Sequence, residues 1–159
     1  AEWDRDGVDA FVIACFDDTG LEAARAVTAR PVIGIGQAAF HLAMLGGGRF
    51  SVVTTLAVSV PVIEENLERY ALAGACRRVR ASGVPVLDLE RDRAQATERV
   101  SAEIGRAVVE DGCRAVVLGC AGMAPLVAPM SARHGVPVID GVLAATGLAA
   151  ALVAVSRAI

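Results

Sequence analysis

Lysine is absent from this sequence: all fifteen basic residues are arginine. Schiff-base chemistry on a lysine and phosphate loops that depend on one are therefore excluded. The net charge is only −3 over 159 residues, with no basic patch of the kind a nucleic-acid binder needs. CxxC pairs are absent. The four cysteines (15, 76, 113, 120) have no metal-like spacing with the two histidines, so no metal site and a reduced, cytoplasmic setting are the expectation. The opening AEWDRDGVDA lacks signal-peptide organisation. No uninterrupted apolar run reaches membrane-spanning length. The apolar stretch 144–159 is broken by Ser156 and Arg157 and reads as a buried helix, with no membrane partner.

What is present is a globular composition, 55 % apolar and 21 % charged. Strand patterns at 8–14, 31–35, 50–54, 84–89, 114–119 and 136–139 alternate with helical patterns at 20–29, 37–46, 60–73, 93–111, 124–134 and 141–158. Near-continuous apolar strands separated by helices predict an α/β fold with parallel sheets covered on both faces. Gly46-Gly47-Gly48 is a flexible break and a candidate lobe boundary.

An internal repeat is the most informative feature. GVDAFVIACFDDTGL (7–21) aligns with GCRAVVLGCAGMAPL (112–126), placing Cys15 on Cys120, 105 residues apart. RPVIGIGQAA (30–39) aligns with VPVIDGVLAA (136–145), with Pro31 on Pro137. A stretch matching 50–106 has no counterpart ahead of the first unit, so the first unit is expected to be incomplete.

In open α/β sheets ligands sit at the carboxyl ends of strands. Cys15 and Cys120 are both expected there, each before a helix whose N-terminus lowers a thiol pKa. Two sulfurs converging from opposite sides suit racemisation: one thiolate removes a proton, the other thiol returns one to the opposite face. Cys76 and Cys113 read as packing residues. Thr54-Thr55 closes a strand, where the hydroxyls would hold a carbonyl or cap a helix. Gly34-Ile-Gly36-Gln-Ala-Ala39 fits the loose dinucleotide pattern GxGxxA, but the next strand ends in threonines rather than an acid, so nucleotide binding is not expected. His41 and His134 lie inside helical patterns, away from strand ends. Asp140 reads as a helix cap. Pro125 and Pro129 predict a late or kinked helix after Cys120.

The segments IACFDDTGLEAAR (13–25), RPVIGIGQAA (30–39), RFSVVTT (49–55), AVVLGCAGM (115–123) and PVIDGVLAA (137–145) resemble the aspartate/glutamate racemase superfamily, and within it the hydantoin and allantoin racemases. The resemblance implies two pseudo-symmetric α/β lobes, 1–48 with 141–159 and 49–140, the final helix covering the first. It implies catalytic Cys15 and Cys120, and substrate contacts from Phe16, Thr54, Thr55, Gly119, Ala121 and Gly122. It also implies a small cyclic ureide as substrate, no cofactor and a homo-oligomer. The family's N-terminal strand, with its Asn-Pro-Asn type loop, has no counterpart here, in keeping with the gap in the repeat. Other readings are a related amino-acid racemase, maleate isomerase or arylmalonate-type decarboxylase, or a non-catalytic binding module.

Overall fold

The computed structural model describes residues 7–158. The first unit runs β1 (Phe11–Ile13), α1 (Leu21–Arg25), β2 (Val32–Gly34) and α2 (Ile35–Gly47). The chain continues through β3 (Phe50–Thr54), a 3-10 turn, α3 (Val60–Arg69), β4 (Cys76–Ala81), α4 (Asp88–Arg91) and α5 (Arg93–Glu110). It closes with β5 (Ala115–Gly119), a second 3-10 turn (Ala121–Leu126), α6 (Val127–His134), β6 (Val138–Asp140) and α7 (Gly141–Ser156).

Two sheets result, both wholly parallel: β1 with β2, and a four-stranded sheet in the order β4-β3-β5-β6. Alternation along the strands explains their unbroken apolar character. Phe50, Val52, Ala115 and Val117 face the core formed with α2, α3 and α7. Val53, Val116, Leu118 and Val138 face the core formed with α5 and α6. The expected α/β fold with helix-flanked parallel sheets is what the chain adopts.

The repeat holds at the level of register. Phe11, Val12 and Ile13 pair with Val32, Ile33 and Gly34. Their counterparts Val116, Val117 and Leu118 pair with Val138, Ile139 and Asp140. The amide of Phe11 donates to the Pro31 carbonyl at 2.9 Å, and the amide of Val116 donates to the Pro137 carbonyl at 2.9 Å.

Two expectations need correction. Residues 84–89 are not a strand: Pro85 donates no amide hydrogen, its carbonyl accepts from Asp88, and the segment turns into α4. The strand is instead β4, CRRVRA, on the sheet edge, where its arginines have somewhere to go. The final helix is not buried all round. By length and composition Gly141–Ala158 is apolar enough to cross a membrane. In the fold Gly141, Ala144, Ala145 and Ala149 are buried, in a helix that packs on α2 and on β1–β2. Its other face is open, with Leu143 70 % exposed. An ion pair from Arg157 to Asp9 at 2.7 Å ties its end to the approach to β1.

Arg80 is the polar anchor of the edge strand. Its buried guanidinium donates to Asp111 Oδ2 at 2.7 Å, to Glu110 at 2.8 Å and to Glu103 at 3.1 Å. Ser51 of β3 also donates to Asp111, at 2.9 Å. The Arg80 hydrogen bonds hold the Asp111 carboxyl below its ordinary range. Such a group stabilises the fold fully above the unfolded carboxylate pKa, and the contribution is lost as pH falls through the depressed folded value. Arg80→Met should cost about 3–5 kcal/mol at neutral pH, because it strands buried carboxylates. In urea titrations the gap between parent and variant should narrow as pH drops below about 4. A gap independent of pH would show that the pair does not set this stability.

Candidate active site

β3 and β5 lie side by side, and their carboxyl ends touch at Thr54 and Gly119, which are register partners. Thr54 is fully buried, and its hydroxyl donates to the Gly119 carbonyl at 3.0 Å. A Cβ on Gly119 would come within 2.7 Å of Thr54 Cβ, so only glycine permits this approach. Cys120 follows at once, extended (φ −160°, ψ 135°), ahead of the 3-10 turn. The long helix starts only at Val127, as the two prolines predict. Thr55 is also buried, and its carbonyl accepts from the amide of Gly83 at 2.8 Å. Neither threonine hydroxyl caps the helical turn that follows.

Cys120 is half-buried and Cys15 is exposed. Burial pushes the Cys120 thiol above its ordinary range; the backbone N–H of Gly122 pulls it down; the charges of Cys15 and Asp17 push it further up; and the N–H of Met123 again lowers it. The first sequence unit thus lies close enough for its thiol and carboxylate to act on the second unit's cysteine. The expected lowering by a helix N-terminus is outweighed by burial, since the turn after Cys120 is 3-10 and the thiol is desolvated. Cys15 is also not at a helix start: α1 begins six residues later, at Leu21. The two cysteine turns nonetheless share one backbone bond, although Asp18 is left-handed (φ 52°) where its counterpart Met123 lies in the 3-10 turn. The amide of Asp18 donates to the Cys15 carbonyl at 3.0 Å, and that of Met123 to the Cys120 carbonyl at 3.0 Å.

Phe16 points into the core, 5 % exposed, with its ring edge-on to Phe40 at 5.4 Å. Ala121 and Gly122 form the first turn after Cys120, and a Cβ on Gly122 would stand 3.7 Å from Cys120 Sγ and 3.2 Å from Leu89 Cδ1. Beyond it lies a pocket of ≈ 220 Å³ walled by Leu89, Ala96, Ala121, Pro125 and Leu126.

The glycines of the dinucleotide-like pattern have another use. Asp18 Oδ1 accepts from the Gly36 amide at 3.0 Å and Oδ2 from the Gln37 amide at 2.7 Å. This carboxylate occupies the α2 N-terminus, where a phosphate would sit. A Cβ on Gly34 would collide with the Asp18 carboxylate. Burial raises the Asp18 carboxyl, partly offset by hydrogen bonds from Tyr70, Gln37 and Gly36 and by the charge of Arg25. Asp140 caps α7 as expected, accepting from Val142 at 3.1 Å and Leu143 at 3.0 Å. His41 Nδ1 pairs with the Gln37 carbonyl and His134 Nε2 with Ser101 Oγ, both at 2.8 Å. Cys113 is buried against the Ala107 carbonyl, and burial pushes half-buried Cys76 up to about 12. Both are packing residues.

Sequence reasoning missed Asp17, Asp18, Asn66 and Tyr70. Asn66 Nδ2 donates to the Asp17 carbonyl at 2.8 Å, and Tyr70 OH to Asp18 Oδ2 at 2.9 Å. The signal was in the repeat: Gly34 stands opposite a capping Asp140, so the first unit had to find its cap elsewhere.

With this fold, and paired cysteines at matched strand ends, the comparison with known proteins is direct. Residues 1–149 match the Asp/Glu/Hydantoin racemase family, and the chain belongs to it. It is 55 % identical over 146 residues to a hydantoin racemase of Rhizobium meliloti, covering 92 % of this chain and 61 % of that protein. It is 43 % identical over 150 residues to one from Pseudomonas sp. (strain NS671), covering 94 % and 60 %. The fold matches an allantoin racemase from Klebsiella pneumoniae with a TM-score of 0.93 at 42 % identity, covering 98 % of this chain and 63 % of that one. Arylmalonate decarboxylase shares the fold at 19 % identity and a TM-score of 0.68. The chain spans about 60 % of the length of the relatives it matches.

Gly119→Ala should cost about 1–3 kcal/mol by forcing the β3–β5 contact apart, measurable as a lowered denaturant midpoint. An unchanged midpoint would mean that the strand ends can separate freely. Because burial raises the Cys120 thiol, its alkylation by iodoacetamide should be slower at about pH 7.5 than that of an unperturbed thiol and should climb with rising pH. A pH-independent rate would contradict that environment.

Proposed function

We propose that this chain carries the reacting groups of a cofactor-independent racemase acting on 5-substituted hydantoins or on allantoin, with Cys15 and Cys120 as opposed base and acid. The observation that carries the reading is the matched strand register ahead of the two cysteines and the shared bond from the Asp18 or Met123 amide to the cysteine carbonyl, together with the electrostatic reach of Cys15 to Cys120. A thiolate at one cysteine takes the C5 proton and leaves an enolate. The thiol at the other delivers its own proton to the opposite face, and the pair has exchanged roles. The ring carbonyl and nitrogen beside C5 make that proton acidic enough for thiols to move without a metal or pyridoxal. The raised Cys120 thiol suits the proton-donating half of the cycle.

The two units would line opposite walls of one cleft, 7–48 with α7 forming one lobe and 49–140 the other. Gly119, Ala121 and Gly122 would present backbone to the ring, with Thr54 and Thr55 beneath it. Phe16 would act through packing, not direct contact. The pocket past Gly122, whose apolar wall is joined by Glu90, Arg93 and Thr97, would take the C5 substituent. The relatives at 55 % and 42 % identity are named for hydantoin and allantoin, which favours these rings over the dicarboxylates of more distant superfamily members.

The test is deuterium incorporation at C5 of L-5-benzylhydantoin and of allantoin in D₂O, followed by NMR beside decay of the optical signal. Exchange with racemisation is expected, and either Cys15→Ser or Cys120→Ser should abolish racemisation in both directions. Racemisation retained by Cys120→Ser would sink the two-thiol mechanism.

A further inference from the structure

We infer that Asp18 is a positioning residue for Cys15: its carboxylate, bonded to the N-terminus of α2 and to Tyr70, fixes the turn that presents the thiol. The inference rests on the racemase reading above for its catalytic consequence, but its structural content stands separately.

The two units solve one problem differently. Each has a helix after its second strand, with the same two amides to satisfy: Gly36 and Gln37 in α2, Val142 and Leu143 in α7. In α7 the strand-end residue Asp140 (φ −90°, ψ 128°) serves as its own cap. In α2 the equivalent residue is Gly34, in nearly the same conformation (φ −83°, ψ 141°), and its missing side chain is replaced by Asp18. Capping α2 did not require this, because an aspartate at position 34 would fit the backbone. Moving the carboxylate to the loop adds something a local cap does not: a bond between the cysteine turn and the helix.

The loop's other contacts agree. Asp18 sits at φ 52°, the left-handed region that a non-glycine residue enters at a cost unless its side chain is bonded. Its amide closes the turn on the Cys15 carbonyl at 3.0 Å, and its carbonyl accepts from Leu21 at 3.1 Å. Asn66 of α3 and Tyr70 at its C-cap reach the same loop: the phenol to the carboxylate, the amide to the Asp17 carbonyl. Asp18 and Asn66 are 4 % and 2 % exposed. Cys15 itself is exposed, so it has no packing of its own to hold it. Its position is inherited from the residue three places on.

The second unit supplies the control. Asp18→Gly removes the carboxylate and tolerates the positive φ. Adding Gly34→Asp restores the cap in the manner of Asp140, without tying down the loop. The melting temperature should fall by about 2–6 °C in Asp18→Gly and return towards the parental value in the double variant. In the double variant the amides at 36 and 37 should stay protected from hydrogen exchange, while those at 18 and 21 exchange about tenfold faster or more. The kcat for C5 proton exchange should drop about 10–100-fold, as for a misplaced reacting group, with KM changed less than about threefold.

Parental kcat in the double variant would overturn the inference, leaving Asp18 as a helix cap only. Unchanged protection at 18 and 21 would overturn it as well, because the turn would then be held by something else. If the unaltered chain catalyses no C5 exchange, the racemase reading fails, and the amide protection alone decides whether Asp18 holds the turn.

Discussion

The amides of Phe11 and Val116 each reach the carbonyl of a proline that opens the neighbouring strand, and each bond is 2.9 Å long. Proline has no amide hydrogen to offer there, yet its carbonyl is free to accept, so both units begin their strand pairing with the same bond. Once that pairing is set, the same sequence of features follows in both units. The strand ends fall at equal heights, the chain leaves each sheet at a cysteine, and a three-residue turn closes on the cysteine carbonyl. The candidate chemistry depends on this duplication, because a racemase needs two similar acids in opposed positions rather than one special group.

Similar backbones need not have similar surroundings. Cys120 sits against the sheet centre, where Gly119 and Thr54 lock β5 to β3 and burial pushes the thiol pKa up. Cys15 sits on an exposed turn beside a short two-stranded sheet, and its loop is held by buried polar bonds to α2 and α3 in place of a packed strand. The difference matches the architecture: β5 is flanked by strands on both sides, whereas β1 has β2 as its one strand partner among the described residues. A loop with little strand support needs polar anchors to hold a side chain in place, and polar anchors in a desolvated setting must be fully bonded to be tolerated.

Much of this was readable from the residues. Strands β1, β2, β3, β5 and β6 announce themselves as short β-branched runs, and β2, β3 and β5 are buried along their whole length. β4 hides because CRRVRA is an edge strand whose Arg80 is paid for by three carboxylates from α5 and its C-terminal cap, a compensation no local pattern reveals. VPVLDL misleads because Val84 and Leu89 are buried like strand residues while Pro85 turns the chain. The cysteine pair was legible through the repeat. The anchors were not, since Asp18, Asn66 and Tyr70 meet across 52 residues of chain. Only the odd glycine opposite Asp140 hinted that a carboxylate had moved.

The central claim is that two thiols stand on opposite faces of one substrate carbon. The most direct measurement is C5 deuterium wash-in for each enantiomer separately, using Cys15→Ser and Cys120→Ser. The account predicts that each variant loses racemisation but still exchanges the proton of one enantiomer, the one facing its remaining thiol, with the preference reversed between the two variants. Identical behaviour towards both enantiomers in the two variants would contradict opposed placement, and the duplicated cysteine turns would then have to be explained by something other than a two-sided proton transfer.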